Sequence, residues 1–370
     1  MSDSAEPPLV AISSDIGRGH PSYLDSVLKV LTRHTDRYRV VHLADLLTDR
    51  EQRAWRLART LYRLGGRGGT ITALYNRLRS GTGPASEWQL HLLGRHLRHR
   101  FAHFTGTCLV DHPLVASILA PICRVAYLHG EIAAPASSAV PGAWRTLVPL
   151  ETTAARIRAW GVSSETLTVT GLVIEPELVP MAEPAFESRL MRCGSSEPLT
   201  VALFTSGAYP HPHVEQLARA TASLRAAGHR PLVFAGSDRT RAGRLRRALR
   251  EQGLDADAAR TFPTRAAESA ATAAALPRLD AFVAAAHERT GWAVGLGLPM
   301  FILGPDIGPF APLNREFALG RAAAEPLADP AALGSRLTRL RRDGRLAALA
   351  RAGFGLLPID GAAVAARSLD

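Results

Sequence analysis

Cysteine is scarce in this 370-residue chain: there are three, Cys108, Cys123 and Cys193, and no Cys-x-x-Cys pair. An odd, widely spaced set argues against a disulfide framework and fits a reducing cytosol. Aromatic residues are sparse, at 6%. No stretch reaches the roughly 18 apolar residues that a membrane-crossing helix needs. The nearest approach, 114–128, is interrupted by Arg124. The N-terminus is short and acidic (Asp3, Glu6), without the basic-then-apolar order of a secretory signal. A cytoplasmic protein is expected, soluble or peripheral at the inner face of the membrane. Acidic residues are outnumbered, 33 Asp and Glu against 44 Lys and Arg, for a net charge of +11. That balance favours anionic partners such as nucleotide phosphates or an anionic membrane face. No Lys/Arg block alternates with aromatics and no zinc-finger spacing occurs, so nucleic acid is not an expected partner.

What the chain does contain is a repeated alternation. Its length suggests two domains rather than one core. Short apolar runs at 9–13, 38–43, 107–110, 125–128, 146–148 and 166–170 are separated by helical periodicity. A passage with four prolines, 175–198, follows, and the pattern restarts at 199–204, 231–235, 259–262, 281–284 and 300–303. Strands alternating with helices predict parallel, doubly wound sheets. The expected class is α/β with two Rossmann-like domains, at 1–180 and 199–370, joined by a linker at 181–198. Residues 51–104 break the rhythm. They are rich in Leu, Tyr and Trp (Trp55, Tyr62, Tyr75, Trp88) with interleaved arginines (Arg53, Arg56, Arg59, Arg63). They read as a helical insertion packing on the first sheet, or as a basic amphipathic surface for peripheral membrane contact.

Three loops carry the chemistry. The first strand runs into Gly17-Arg18-Gly19-His20 before a helix. Its glycines allow a sharp turn or close ligand approach at a helix N-terminus, and His20 adds a group that titrates near neutral pH. The second half opens alike, with Thr205, Ser206 and Gly207 after an apolar run and a helix from about His213. Free N–H groups and the helix dipole favour an anion there. The third loop, His287-Glu288-Arg289-Thr290-Gly291, lies where a strand meets a helix, followed by Gly297-Leu298-Pro299 and Asn314 with Glu316. This is the carboxyl edge of the sheet, where open α/β folds bind ligands. His211 and His213 lack the carboxylate or Cys companions of a zinc site.

The order of these motifs resembles GT-B glycosyltransferases of family 28. These include the enzyme attaching GlcNAc to the peptidoglycan lipid precursor and the galactosyltransferases of monogalactosyldiacylglycerol synthesis. The resemblance implies an N-terminal domain for the acceptor, a C-terminal domain for a nucleotide-sugar, and metal-independent catalysis in the cleft that the two face. By position, Gly17, Gly19 and His20 resemble the acceptor loop. Thr205, Ser206 and Gly207 resemble the diphosphate loop, with two glycines missing. Phe262 falls near the nucleobase, residues 287–291 replace a Gly-Gly-x-Thr segment, and Asn314 with Glu316 resembles the groups facing the donor sugar. The family's ribose-binding Glu is Trp292 in this chain, with Glu288 as the available substitute.

An inverting transfer needs charge stabilisation on the leaving nucleoside diphosphate, for which helix N-termini and Arg289 are suited, and a base at the acceptor. Candidate bases are His20, Asp111 with its neighbour His112, His129 and Glu131, all at strand ends. The expected function is a metal-independent, inverting glycosyltransferase moving sugar from a UDP-linked donor to a small-molecule or lipid acceptor, as in bacterial specialised metabolism. No cofactor beyond that donor is expected. Two alternatives stay open: a sugar-nucleotide epimerase or hydrolase, for which Asp111, Glu131 and Glu288 supply carboxylates, and a non-catalytic nucleotide-sugar-binding protein.

Overall fold

Both halves of the chain build a parallel six-stranded sheet with helices packed on it in the computed structural model. The structure describes residues 8–14, 19–33, 35, 37–65, 69–80, 83, 86–207 and 209–369. The first sheet comprises β1 (Leu9–Ser13), β2 (Tyr38–His42), β3 (Thr107–Val110), β4 (Arg124–Leu128), β5 (Arg145–Val148) and β6 (Leu167–Val169), in the order β2-β1-β3-β4-β5-β6. The second comprises β7 (Thr200–Phe204), β8 (Arg230–Phe234), β9 (Ala259–Arg260), β10 (Ala281–Ala284), β11 (Met300–Ile302) and β12 (Ala324–Pro326), in the order β12-β11-β10-β7-β8-β9. The expected strands are found, and β12 is added to them.

The central strands are apolar on successive residues along most of their length because helices cover both faces of the sheet. Side-chain alternation sorts them. Val10, Ile12, Cys108, Val110, Val125 and Tyr127 share one core with Trp55, Leu90, Leu97 and Phe101 of the 51–104 insertion. Ala11, Leu109, Ala126 and Leu128 share the other with Tyr23, Leu24 and Val27 of the helix Gly19–Leu31. The helices Asp49–Gly65 and Glu87–Phe101 of the insertion thus place residues in the core of the first sheet. Trp55 Nε1 donates to Leu93 O (3.0 Å), and Glu51 accepts from the His96 N–H (2.9 Å), tying the two helices together. Among the described residues no helix is long and apolar enough to cross a membrane.

The chain divides into two compact units, neither of them continuous in sequence. One unit is Met1–Tyr62, Arg77–Pro176 and Asp360–Asp370; the other is Arg63–Asn76 and Glu177–Ile359. The final helix, Gly361–Arg367, therefore returns to the first unit. Gly361 makes this possible: a Cβ there would come within 2.4 Å of Gly171 O and 2.6 Å of Leu172 O. Ala362, Ala365 and Ala366 then pack with Leu24, Val27 and Leu28. The stretch expected as a linker contains the helix Ala182–Cys193, which is anchored by a wholly buried arginine. Arg189 donates to Leu279 O (3.0 Å), Leu296 O (3.0 Å) and Gly297 O (2.9 Å).

Candidate functional site

Each sheet has one point where successive connections leave in opposite directions, and open α/β sheets bind ligands at the carboxyl ends of the strands there. In the first sheet it lies between β1 and β3, and in the second between β7 and β10. The loops singled out in the sequence end on these strands.

In the first unit Asp111 follows β3 and is wholly buried. Its carboxylate accepts the Ser14 N–H that follows β1, at 3.1 and 3.3 Å. His112 caps the helix Pro113–Leu119, its Nδ1 accepting the Leu114 N–H at 3.2 Å. That bond needs a lone pair on Nδ1 and so favours the neutral ring. Against the His112 ring stand His20, at 5.2 Å between centroids, and Trp55, at 6.0 Å. Gly19 opens the helix that carries His20; Gly17 lies outside the described residues.

β4 delivers the rest of this group. The Tyr127 hydroxyl lies 3.1 Å from His129 Nδ1, and His129 Nε2 lies 3.3 Å from Ala133 O. A carbonyl only accepts, so Nε2 carries the proton and Nδ1 accepts from the phenol. Burial, with His20 nearby, depresses the His129 pKa to about 3. Both ring nitrogens of His129, a candidate base by sequence, are thus engaged within the fold. The phenol's own pKa is pushed well up by burial and by the charges of Asp111 and Glu131. Glu131 is buried as well, beyond Gly130, where a Cβ would fall 2.2 Å from the Tyr23 ring. Asp111 and Glu131 thus both act by their charge on one phenol, and His112 with His20 beside it follows Asp111 at the end of β3.

The second unit gathers a different chemistry. Thr205 closes the end of β7 by donating its N–H to Phe234 O at 3.2 Å. Ser206 follows with a buried hydroxyl that has no hydrogen-bond partner among the described residues. Gly207 O accepts from Arg241 at 2.5 Å, and Arg241 is held by Asp238 at 2.9 Å. Tyr209 takes a left-handed φ of 49° and donates its hydroxyl to Ala235 O. The helix His211–Ala226 begins here without a side-chain cap. Its buried His213 donates Nε2–H to Pro305 O at 2.9 Å. Burial pulls the His213 pKa down to about 4, with His287 adding to the effect. Nδ1 of His213 is a buried acceptor with no partner among the described residues.

After β10 comes His287, half-buried, its pKa lowered by burial against the opposing charges of Glu288 and Asp306. Arg289 is buried rather than presented outward. It pairs with Glu288 at 2.8 Å and Glu268 at 3.8 Å, and lies 4.0 Å over the Phe204 ring. Thr290 is wholly buried, and its hydroxyl has no partner among the described residues. Trp292 is core, edge-on to Phe204 at 5.5 Å. Phe262 stacks on Phe234 at 5.8 Å. Asn314 is buried and donates Nδ2–H to Ala286 O at 3.2 Å, which fixes the start of the third loop. Glu316, two positions further along the helix Ala311–Gly320, is exposed. Residues two apart on a helix point about 200° apart, so Asn314 and Glu316, both expected by resemblance to face a donor sugar, lie on different faces of this helix.

No family model matches the chain, and no curated protein matches it. Solved structures do. The crystal structure of UDP-GlcNAc 2-epimerase from Neisseria meningitidis bound to UDP-GlcNAc superposes with a TM-score of 0.58 at 10% identity, covering 97% of both chains. The S. aureus MnaA–UDP co-structure gives a TM-score of 0.56 at 11% identity, covering 96% of this chain and 93% of that one. The fold is of the GT-B type.

Within this GT-B chain, several residues of both groups carried no legible signal. Ser14 acts through its backbone N–H. Tyr127 looks like one more apolar strand residue. Glu268 sits in an Ala-rich helix, where its burial against Arg289 follows only from the packing. A lone acid on the apolar side of a helix was the available clue.

Proposed function

We propose that this protein is an epimerase or hydrolase of a UDP-linked sugar, with Asp111 and Glu131 as its candidate acid and base. One observation carries the choice of reaction. Two buried carboxylates, Asp111 and Glu131, act electrostatically on the same buried phenol, and both ring nitrogens of His129 are engaged within the fold. Inverting a carbon requires one group to remove a proton and another to return it from the opposite side, and a pair of carboxylates can supply both. Hydrolysis uses the same pair, one activating water and the other protonating the leaving oxygen.

The nucleotide assignment rests on the second unit's buried polar atoms. A buried, unbonded hydroxyl costs about 1–3 kcal/mol, so Ser206 and Thr290 are stabilised when a ligand oxygen accepts from them. Diphosphate oxygens do so, at the uncapped start of the helix His211–Ala226. His213 Nδ1, being an acceptor, takes a ligand hydroxyl instead. UDP as the nucleotide is supported by the ligands of the two fold neighbours.

Glycosyl transfer, the reading implied by the family 28 resemblance, is the second one. It is favoured by His20, held beside the His112 ring as an acceptor-side base would be. Incubation with UDP-GlcNAc in deuterated water and no acceptor separates the readings. An inverted sugar carrying solvent deuterium, or free sugar with UDP, supports the carboxylate reaction. UDP release that requires an added hydroxyl acceptor supports transfer. Binding without any turnover removes both.

A further inference from the structure

Two thiols that this chemistry leaves unused face each other on the first sheet. Cys108 is the second residue of β3 and wholly buried; Cys123 is half-buried in the turn between the helix Pro113–Leu119 and β4. Their Sγ atoms are 3.7 Å apart. Both lie on the same face, Cys108 within the core that Val10, Ile12 and Trp55 share and Cys123 packed against its edge. Either thiol can donate to the other, and Cys123 Sγ also donates to Leu119 O at 3.8 Å; the contact between the thiols, with burial, raises the Cys108 pKa, and the same contact lowers that of Cys123. Cys193 belongs to the second unit and has no part in the pair.

We propose that Cys108 and Cys123 form an oxidation site at which a hydroperoxide closes an intrachain disulfide. The Cys123 thiolate attacks one peroxide oxygen and the O–O bond breaks. The departing oxygen leaves as water or alcohol, taking a proton, and Cys123 becomes a sulfenic acid. The Cys108 sulfur then displaces that hydroxyl, the S–S bond forms, and a water leaves with the Cys108 proton. Two sulfurs are each oxidised by one electron, and the peroxide is reduced by two.

The geometry fits this order of events. Cys123 is the more accessible member and the one whose pKa is lowered, which favours it as the first site of attack. Bonded sulfurs lie about 2.05 Å apart, so the pair must approach by roughly 1.7 Å from its present 3.7 Å. Cys108 is fixed between β1 and β4, with the Cys108 backbone in register with Val10 and Val125. The movement falls to Cys123, which lies in a turn.

The test uses the full-length reduced protein, titrated with hydrogen peroxide, acid-quenched, and its thiols counted after denaturation. Both cysteines fall between Arg100 and Arg124, so one tryptic peptide, residues 101–124, carries the pair. We expect two of the three thiols to be lost with one equivalent of peroxide, and that peptide to be lighter by two hydrogens and resistant to alkylation. Dithiothreitol should restore both. Cys193→Ser should behave in the same way, whereas Cys123→Ser should keep Cys108 as a free thiol. Three thiols surviving, a 101–124 peptide gaining oxygen instead of losing hydrogen, or a disulfide between chains would each overturn the proposal.

Discussion

Replacing Thr290 with valine tests the nucleotide site with little disturbance to the fold. The side chain is wholly buried, and its hydroxyl finds no partner among the described residues of the free protein. Valine keeps the branched shape and removes only the unmet donor. Leaving a hydroxyl buried and unbonded costs about 1–3 kcal/mol, so Thr290→Val should not destabilise the free protein. A gain of about 1 kcal/mol corresponds to roughly 2–4 °C for a unit of this size. Affinity should move the other way. A hydrogen bond to a charged oxygen is worth about 1.5–3 kcal/mol, which is roughly a tenfold to hundredfold rise in Kd for UDP. The two readouts are thermal unfolding without ligand and calorimetric titration with UDP. A valine variant that melts well below wild type would show that the hydroxyl is bonded within the fold. Unchanged UDP affinity would place the diphosphate elsewhere.

Asp111→Asn and Glu131→Gln should each lower turnover of UDP-GlcNAc by on the order of 10²–10⁴ while leaving UDP binding near wild type; loss of binding in step with turnover would refute their catalytic role. His20→Ala separates the two readings, because it should abolish acceptor-dependent transfer but spare an acceptor-free reaction. Stability should fall as pH drops below about 6.5. The folded-state pKa values of His129 and His213 are depressed to about 3 and about 4. The unfolded chain therefore binds protons that the folded chain refuses, and each histidine contributes up to about 1.4 kcal/mol per pH unit. Urea titrations from pH 7 to 5 measure that slope, and His129→Gln should reduce it by one proton's worth; an unchanged slope would contradict the neutral ring. Arg189→Met leaves three buried carbonyls without their donor and should destabilise the second unit by about 3–5 kcal/mol, seen as a lower midpoint in chemical unfolding.

Much of the site was legible because strand ends and helix starts are local properties. His20, Asp111, Thr205, Ser206 and the stretch 287–290 were each recognisable as polar or small residues placed where an apolar run gives way to a helix. What those residues do was less accessible. Arg289 looked like a group for the leaving phosphate, yet it lies inward between Glu288, Glu268 and the Phe204 ring. His129 was a candidate base, and the fold engages both its ring nitrogens, with the Tyr127 hydroxyl and with Ala133 O. Asn314 and Glu316 were both expected to face a donor sugar and fall on different faces of one helix. These arrangements depend on burial, on partners brought in by the fold, or on helix phase within a short segment.

The sequence by itself determined the elements and their parallel arrangement, because continuous apolar runs of four or five residues between amphipathic segments are stable only when helices cover both faces of a sheet. Tertiary structure alone decided the order of the strands, and with it which loops share a switch point. It brought Asp111 to Ser14 across 97 residues, set Cys123 against Cys108, and returned the last helix to the first unit. It also set the protonation of the buried histidines. Each of these follows from burial and from contacts between residues distant in sequence, which local pattern does not encode.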